Sequence, residues 1–591
     1  MSNQNFQVNL QGMIDLLSNH LYSNPGVFMR ELLQNGVDAI TARKRTGQAF
    51  QPRVSVELYS SKTIAVYDNG IGLTHHEIEQ FLSQIGHTSK REEQDAADDY
   101  IGQFGVGLLA CFVVSDEIVL ITRSALEGDS LEWRGRPDGT YTIRKLDKQV
   151  PIGSTVYLTC KEEYEEYFEY YKISELIEHY GLYLQTPIYL VEDSYERQMN
   201  DSLPPWQMSR EDAMAYSRDH LYQPCLDVIK LKSAIGEVEG VAYVLPHALS
   251  LQAEKRHKVY LKNMLLSDRM ENIVPPWAFF VTCILNTNGL RPTASREAFY
   301  ENDLFLNVRE ELGECIKAHF VKLAETNLDL LRQIIRVHYK SLKSMAVEDQ
   351  ELYRLFINHL SFETSMGTME GLDMVKQAEH ILLTSTLDEF RQVARVAKAQ
   401  GLMVVNGGYV HDFELIANLS EAHPQVIVTV IDPLQFFKQF QELDREDSER
   451  TQGFLALADK ALKPYQCRTA IRYFEPADVP MLYTTNEEIS FLRMAQNSRE
   501  HVNELFTGIV DMVTNELYEV PYAQLCFNYN NAIVRRMVEE QPPALQELTV
   551  KMLYTQSLLM GNYPLSAEEL RLMNESFLAF LNLGLPAGGQ A

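Results

Sequence analysis

The sequence predicts an α/β multidomain protein: an α/β sandwich at the N-terminus, a mixed α/β region in the middle and an α+β region at the C-terminus. Three observations carry this reading. The chain has 591 residues, too many for one core at roughly 150 residues per domain. Short runs of alternating apolar residues are interleaved with helical stripes in the first third. The apolar spacing then becomes wholly helical towards the C-terminus.

Taken in order, residues 6–45 read as helices, with Pro25 suited to a first helical turn. Arg53–Leu58 alternates through Val54, Val56 and Leu58, and Thr63–Asp68 through Ile64 and Val66. The pair predicts a hairpin turning at Ser60-Ser61-Lys62. Further strands are expected at Glu117–Arg123, Thr140–Leu146 and Thr155–Cys160. The polar stretch 196–210, with Pro204-Pro205, reads as a linker. Beyond it come strands near Lys258–Lys262 and Gln425–Ile431 and one long helix, Glu301–Ile335. The charged run Asp444-Arg445-Glu446-Asp447 marks another boundary. The expected domains are therefore 1–200, 206–445 and 446–591. In the last, Leu545, Leu548, Met552 and Leu559 form one helical stripe. Ser566 and Glu569 form a capping box opening a helix that carries Leu570, Met573, Phe577 and Phe580. Stripes of this kind signify core or dimer packing.

Composition excludes several classes. Lys and Arg number 53 against 81 Asp and Glu, a net charge of −28. Such a field repels phosphate backbones, and no dense Lys/Arg run offsets it, so no nucleic-acid partner is expected. No apolar run approaches the ~18 residues of a membrane span, so no membrane partner is expected either. The N-terminus shows no basic segment followed by an apolar one. The 7 cysteines are scattered and never form Cys-x-x-Cys, which argues against structural zinc or a disulfide framework. A cytoplasmic location is expected.

Four segments carry candidate chemistry. In Pro25–Ile40, Glu31, Asn35 and Asp38 fall within about 60° of one another on a helix, beside an apolar arc of Phe28, Met29, Leu32, Val37 and Ile40. A carboxylate there can face a water while an amide oxygen ligates a metal, and Mg²⁺ takes few protein ligands. Asp68-Asn69-Gly70-Ile71-Gly72-Leu73-Thr74 puts a carboxylate at a strand end before two glycines that permit a tight turn. Ile101–Val114 sets Gly102, Gly105 and Gly107 before an apolar helix, where backbone N–H groups can hold phosphate; no Gly-Lys-Ser/Thr follows, so this is not a P-loop. Gly153-Ser154-Thr155 opens a strand with a hydroxyl. Each segment alone also describes an ordinary turn or a solvated polar face. Their order and spacing carry the argument.

That ordered set resembles the ATPases of the gyrase, heat-shock protein 90, histidine kinase and MutL (GHKL) superfamily, with its Bergerat-type sandwich. Ile101 with Gly102-Gln103-Phe104-Gly105-Val106-Gly107 resembles the heat-shock protein 90 family in particular, including its bacterial HtpG-like branch. Thr293-Ala294-Ser295-Arg296-Glu297 is similar to that family's middle-domain segment, as are Lys258–Asp268 and Pro275-Pro276-Trp277. Residues 522–585 resemble its C-terminal dimerisation region. The resemblance implies roles. Glu31 would be the general base. Asn35 would ligate Mg²⁺, with Asp38 beside it. Asp68 would read the adenine amino group with Ser154, and Gly72 and Leu73 would line the base. Gly102, Gln103, Phe104, Gly105, Val106 and Gly107 would close over the phosphates, and Arg296 would stabilise charge on the transferred phosphoryl group. ATP and Mg²⁺ would be the cofactors. Unfolded or partly folded client proteins, and a second copy held through the C-terminal helices, would be the partners.

The chain departs from the family pattern at Phe81 (asparagine is usual), His87 (lysine is usual) and Tyr300 (glutamine is usual), and the segment between Gly86 and Tyr100 is short and acidic. Slow hydrolysis is therefore expected. A non-hydrolysing nucleotide-binding scaffold and a DNA-remodelling ATPase are the rival readings; the retained Glu31 opposes the first and the charge opposes the second. His75-His76 reads as solvent-facing rather than metal-binding.

Overall fold

The computed structural model describes residues 24–60, 62–82, 101, 107–126, 128–193, 195–221, 224–248, 257–293, 297–485, 523–561, 563 and 565–584. The chain forms two compact units, Met1–Leu330 and Leu331–Ala591.

The first unit holds two sheets. Strands β1 (Val54–Ser60), β2 (Thr63–Asp68), β3 (Ser115–Arg123), β4 (Ser130–Gly135), β5 (Tyr141–Lys145), β6 (Gly153–Cys160), β7 (Ile188–Glu192) and β8 (Tyr195–Gln198) form an 8-stranded sheet in the order β5-β4-β3-β6-β2-β1-β7-β8. The predicted hairpin is present, with Val54 opposite Asp68 and Val56 opposite Val66. β7 joins β1 in parallel, and β4 extends the far side. Helix α1 (Val27–Arg45) lies on β1 and β2 and packs against α2 (Tyr170–Gly181). Its apolar arc explains the placement: Phe28, Met29 and Ile40 are fully buried with Val54, Val56 and Ile64 in one core. Arg43, Lys44 and Arg45 fill its last turn, the charge sign that suits a helix C-terminus.

Residues 196–210 do not form the expected free linker. β8 occupies their start, and Met199 and Trp206 are buried in the same core. Trp206 meets Tyr183 edge-on at 5.2 Å and Tyr260 at 5.5 Å, so apolar burial overrides the Pro-Pro signal. Ser209 then caps α3 (Arg210–His220). A second sheet follows, β9 (Asp227–Ser233), β10 (Val238–Val244), β11 (His257–Leu261), β12 (Met264–Met270) and β13 (Val281–Thr287), ordered β12-β11-β13-β10-β9.

The long helix expected over Glu301–Ile335 is two helices, α4 (Asp303–Thr326) and α5 (Leu328–Glu348). Asn327 leaves helical geometry at φ −155°, and its Oδ1 accepts the Leu330 N–H at 3.1 Å. A short amide side chain competing with the backbone starts a new helix there.

In the second unit, β14 (Ser361–Thr364), β15 (Gly367–Glu370), β16 (His380–Thr384), β17 (Val404–Asn406) and β18 (Ile427–Val430) form a sheet ordered β15-β14-β17-β16-β18. Helix α6 (Leu387–Ala399) carries the parallel crossover from β16 to β17. Asp444 caps α7 (Arg445–Leu462). Strands β19 (Cys467–Arg472), β20 (Met481–Thr485) and β21 (Ala523–Asn528) follow, then α8 (Ala532–Glu540), α9 (Pro543–Met560) and α10 (Ala567–Gly584). The Ser566–Glu569 capping box is present in both directions, at 2.9 and 3.2 Å. The stripe predicted on α9 is not the core face. Val550, Leu553, Tyr554 and Leu558 are buried, while Leu559 is exposed and Leu545, Leu548 and Met552 are half-buried. The aromatic anchor decides the face, because Tyr554 is fully buried with its hydroxyl donating to Glu569 Oε1 at 2.6 Å. No helix among the described residues is long and apolar enough to cross a membrane.

Candidate functional site

Of the predicted site residues, Glu31, Asn35 and Asp38 lie on α1, which packs on β1, β2 and β6, and Asp68 and Ser154 lie at the ends of β2 and β6. Asp68 is the last residue of β2, paired in register with Ser154 on β6, and Ser154 is paired on its other side with Thr122 on β3. Three adjacent strands therefore place a carboxylate and two hydroxyls in one row.

Asp68 is buried, and its carboxylate accepts the Gly70 N–H at 2.8 Å. Burial pushes its pKa up to about 7 against the lowering effect of hydrogen bonds from the Gly70 and Ser154 backbones. The glycines shape the space around it. Gly72 has φ +68°, and a β-carbon there would lie 2.1 Å from the Arg123 carbonyl oxygen. Gly153 has φ +125°, and a β-carbon would lie 2.0 Å from the Asp68 carbonyl oxygen. Neither position admits another residue. Asn69 holds the turn by accepting the Arg53 N–H and donating to the Gln51 carbonyl.

Thr122 is the residue that motif reading missed. It is fully buried. Its Oγ1 accepts the Leu73 N–H at 2.9 Å, donates to the Gly153 carbonyl at 3.0 Å and lies 3.0 Å from Ser154 Oγ. A threonine has one hydroxyl proton, so with that proton given to Gly153 it is Ser154 that donates to Thr122. The Asp68–Leu73 turn and the Gly153-Ser154 strand start are thereby locked together. An alternating strand offers a Thr at many places, and only the cross-strand register singles this one out.

The α1 stripe divides. Glu31 is 1% exposed and Asp38 3%, whereas Asn35 between them is exposed. Asp38 accepts the Ile101 N–H at 2.8 Å, so it anchors the residue that precedes the glycine-rich segment. Glu31 Oε1 accepts from Arg30 Nε and Nη2 at 3.3 and 3.2 Å. A β-carbon on Gly107 would lie 2.3 Å from Glu31 Oε2. Gly107 begins a 3₁₀ turn, Gly107–Ala110, that runs into the single helical turn Cys111–Val114, shorter than the helix expected there. Burial, then the Glu31 charge, raises the Cys111 pKa. Tyr180 on α2 is raised by burial, lowered by Arg30 and raised by Asp268, Glu297 and Glu31, so Glu297 acts on the same neighbourhood.

Gly102, Gln103, Phe104, Gly105, Val106 and Arg296 lie outside the described residues, as does His87. Among the described residues that flank Arg296, Pro292 is bridged to Phe299 and the Thr293 N–H donates to the Ala298 carbonyl at 2.8 Å. Tyr300 is exposed. Phe81 belongs to a π-helical turn, Ile78–Leu82. His75 and His76 are exposed, behind a Thr74–Glu77 capping box.

The donor set suits a nucleotide. The Asp68 carboxylate can accept from an exocyclic amine, the glycines let the Asp68–Leu73 turn, β3 and β6 approach backbone to backbone around it, and Asn35 is exposed one helical turn from Glu31. No three His, Cys, Asp or Glu side chains converge among the described residues. A magnesium ion needs no such cage, because phosphates and waters supply most of its ligands.

Comparison with known proteins bears on the N-terminal sandwich and beyond. Residues 23–145 match the family described as histidine kinase-, DNA gyrase B-, and HSP90-like ATPase. Over 362 residues the chain is 26% identical to the chaperone protein HtpG of Chlorobium luteolum, covering 55% of this chain and 57% of that one. It is 25% identical over 376 residues to the Geobacter sulfurreducens chaperone protein HtpG, covering 55% and 58%. With the Chlorobium phaeovibrioides chaperone protein HtpG it shares 26% identity over 511 residues, covering 78% of each. The chain thus spans 57–58% of the length of the first two relatives and more of the third. Residues 23–145 thus match an ATPase family, and the relatives to which the chain is similar beyond that stretch, at 25–26% identity, share the description chaperone protein HtpG.

Proposed function

We propose that the chain is an ATP-dependent molecular chaperone, in which slow ATP hydrolysis drives a dimeric clamp. The observation that carries this reading is the row Asp68–Ser154–Thr122 at one end of one sheet, together with the buried Glu31 on the helix that packs on that sheet: a base-reading carboxylate and a second, sequestered carboxylate. Asp68 accepts the adenine amino group, with the Ser154 hydroxyl completing the edge. Gly72 and Leu73 line the base. Glu31 takes the proton of the attacking water, a role in which a general base contributes about 10²–10⁴-fold. Asn35 holds Mg²⁺, which when bound neutralises phosphate charge, and Asp38 fixes the start of the glycine-rich segment Gly102–Gly107 that closes over the phosphates. Arg296 is assigned to the charge developing on the transferred phosphoryl group.

The division into an ATPase domain (1–200), a middle domain (206–445) and a dimerisation domain (446–591) belongs to the same reading. Of the four sheets among the described residues, one falls in the first domain, two in the second and one in the third, and the exposed Leu559, Met560, Leu570, Phe577, Leu578, Phe580 and Leu581 on the last two helices suit a homodimer. Unfolded or partly folded proteins are the clients and the cytoplasm is the location.

ATP turnover of wild type beside Glu31→Ala, with aggregation suppression of a model client measured in parallel, tests the reading. The expected result is retained ATP binding with turnover lost in the variant. Equal turnover in the two proteins removes Glu31 from catalysis, and failure of the wild type to suppress aggregation removes the chaperone assignment.

A further inference from the structure

β18 (Ile427–Val430) ends the sheet of the second unit, next to β16. The Ile427 N–H donates to the Glu379 carbonyl and the Ile431 N–H to the Leu383 carbonyl. In a parallel ladder alternate residues serve the neighbouring strand, so the N–H and C=O groups of Val428 and Val430 point away from the sheet. The side chains are open as well: Ile427 is 64% exposed, Val430 is 50% exposed and Thr429 is exposed.

Proteins ordinarily blunt such an edge with charge, proline, a bulge or a cover. The other sheet ends among the described residues follow that rule. β5 carries Arg144 and Lys145, β8 Glu196 and Arg197, β9 Lys230 and Lys232, β12 Asp268 and Arg269, β15 Glu370, and β19 Arg468 and Arg472; β20 has no charge but is buried throughout. β18, Ile-Val-Thr-Val, carries no charge and has no covering strand among the described residues. It is bracketed by carboxylates: exposed Glu421 before it, exposed Asp432 after it, and exposed Glu379 at the residue that receives the Ile427 N–H. His380 is bonded to Thr429 at 2.9 Å, and Lys376 is ion-paired with Asp373.

We propose that β18 is a docking edge that takes an extended segment of an unfolded polypeptide as an added strand, with an uncharged β-branched core and Lys or Arg at its ends. Backbone hydrogen bonds to Val428 and Val430 give sequence-tolerant affinity, the exposed Ile427 and Val430 select an apolar core, and the flanking carboxylates select basic ends. The inference rests on the chaperone reading above and deepens it by naming the chemistry of the client.

The test is fluorescence anisotropy with a dye-labelled peptide that has an alternating Val-Thr core and two lysines at each end. Comparison peptides carry glutamates at the ends, or N-methyl groups at alternate core residues. In full-length protein, Val428→Pro removes an outward donor while leaving the ladder to β16 intact, and Val430→Lys adds a charge to the edge. Each variant should bind the lysine-flanked peptide about tenfold more weakly, with ATP turnover and melting temperature unchanged. The wild type should bind both comparison peptides more weakly. Should Val428→Pro fail to fold, Val430→Lys decides. Equal binding by wild type and variant overturns the proposal. So does a wild type that ignores the peptide while self-associating in a way that Val428→Pro abolishes, which would make the edge a contact between copies. A wild type that suppresses aggregation but does not bind the peptide sinks the strand-docking inference alone; one that does neither sinks the chaperone reading with it.

Discussion

Gly107 lies against Glu31 so closely that a β-carbon on the glycine would stand 2.3 Å from Glu31 Oε2. The atom that must yield is the tip of a side chain, not backbone. Gly107→Ala should therefore displace the carboxylate without breaking the fold. Turnover is expected to fall by about 10²-fold, within the range a general base contributes, while stability changes by only ~1 kcal/mol. Single-turnover hydrolysis alongside thermal melting separates the two effects; a large loss of stability would mean that Gly107 serves the core rather than the carboxylate.

Asp68 predicts a pH dependence. Burial holds its folded pKa at about 7, above the ordinary 3.8. Between those values the folded chain keeps a proton that the unfolded chain has released. The contribution to stability is full below about 3.8, declines as pH rises and is gone above about 7, a change on the order of a few kcal/mol. Nucleotide binding runs the other way, because an amine donates best to an ionised carboxylate. Affinity should rise with pH up to about 7 and then level off. Calorimetry in buffers of different ionisation enthalpy should show proton release near pH 7 in the wild type and none in Asp68→Asn, which should also lose most of its affinity. A flat affinity between pH 6 and 8 would contradict the assignment.

Thr122 supplies a third prediction. Replacing it with valine keeps the shape but leaves the buried Leu73 N–H and Gly153 carbonyl without their hydroxyl partner. Loss of about 1–3 kcal/mol of stability is expected. Because the proposed function sets the row it locks against the base rather than the phosphates, KM for ATP should rise with little change in kcat. Thr122→Ser should restore both. A kcat defect with an unaltered KM would place Thr122 in the chemistry instead.

Legibility in the sequence followed locality. The β1–β2 hairpin, the Asp68 turn and the Ser566–Glu569 cap are written within a few residues, and all were readable. β4 and β7 were not, because β7 is defined by its parallel pairing with a distant β1, which no local period reports. The break at Asn327 depends on one amide turning to its own backbone. On α9 both faces are apolar, so spacing could not say which one Tyr554 would bury. In the site, α1 gave Glu31 and Asp38 their common face, but only the fold shows that Asp38 is occupied by the Ile101 N–H while Asn35 stays open. Thr122 became visible only through its register with Ser154.

The second unit contains a buried charge pair that no motif announced. Lys343 on α5 meets Asp412 with both side chains nearly inaccessible, and the ammonium lies 4.8 Å from the Phe362 ring centre. Burial raises the Asp412 pKa, opposed by Lys343. Removing one partner strands the other charge, so Lys343→Met should cost about 3–5 kcal/mol, whereas Lys343→Met with Asp412→Leu should recover most of that loss. Without Lys343 the Asp412 pKa rises further. The single variant can then relieve its defect by taking up a proton, and its deficit against wild type should shrink as pH falls from 8 to 5. Thermal melting of the two variants across that range checks the argument: a single-variant deficit independent of pH would show that Lys343 stabilises by packing against Tyr339 and Phe362 rather than by charge.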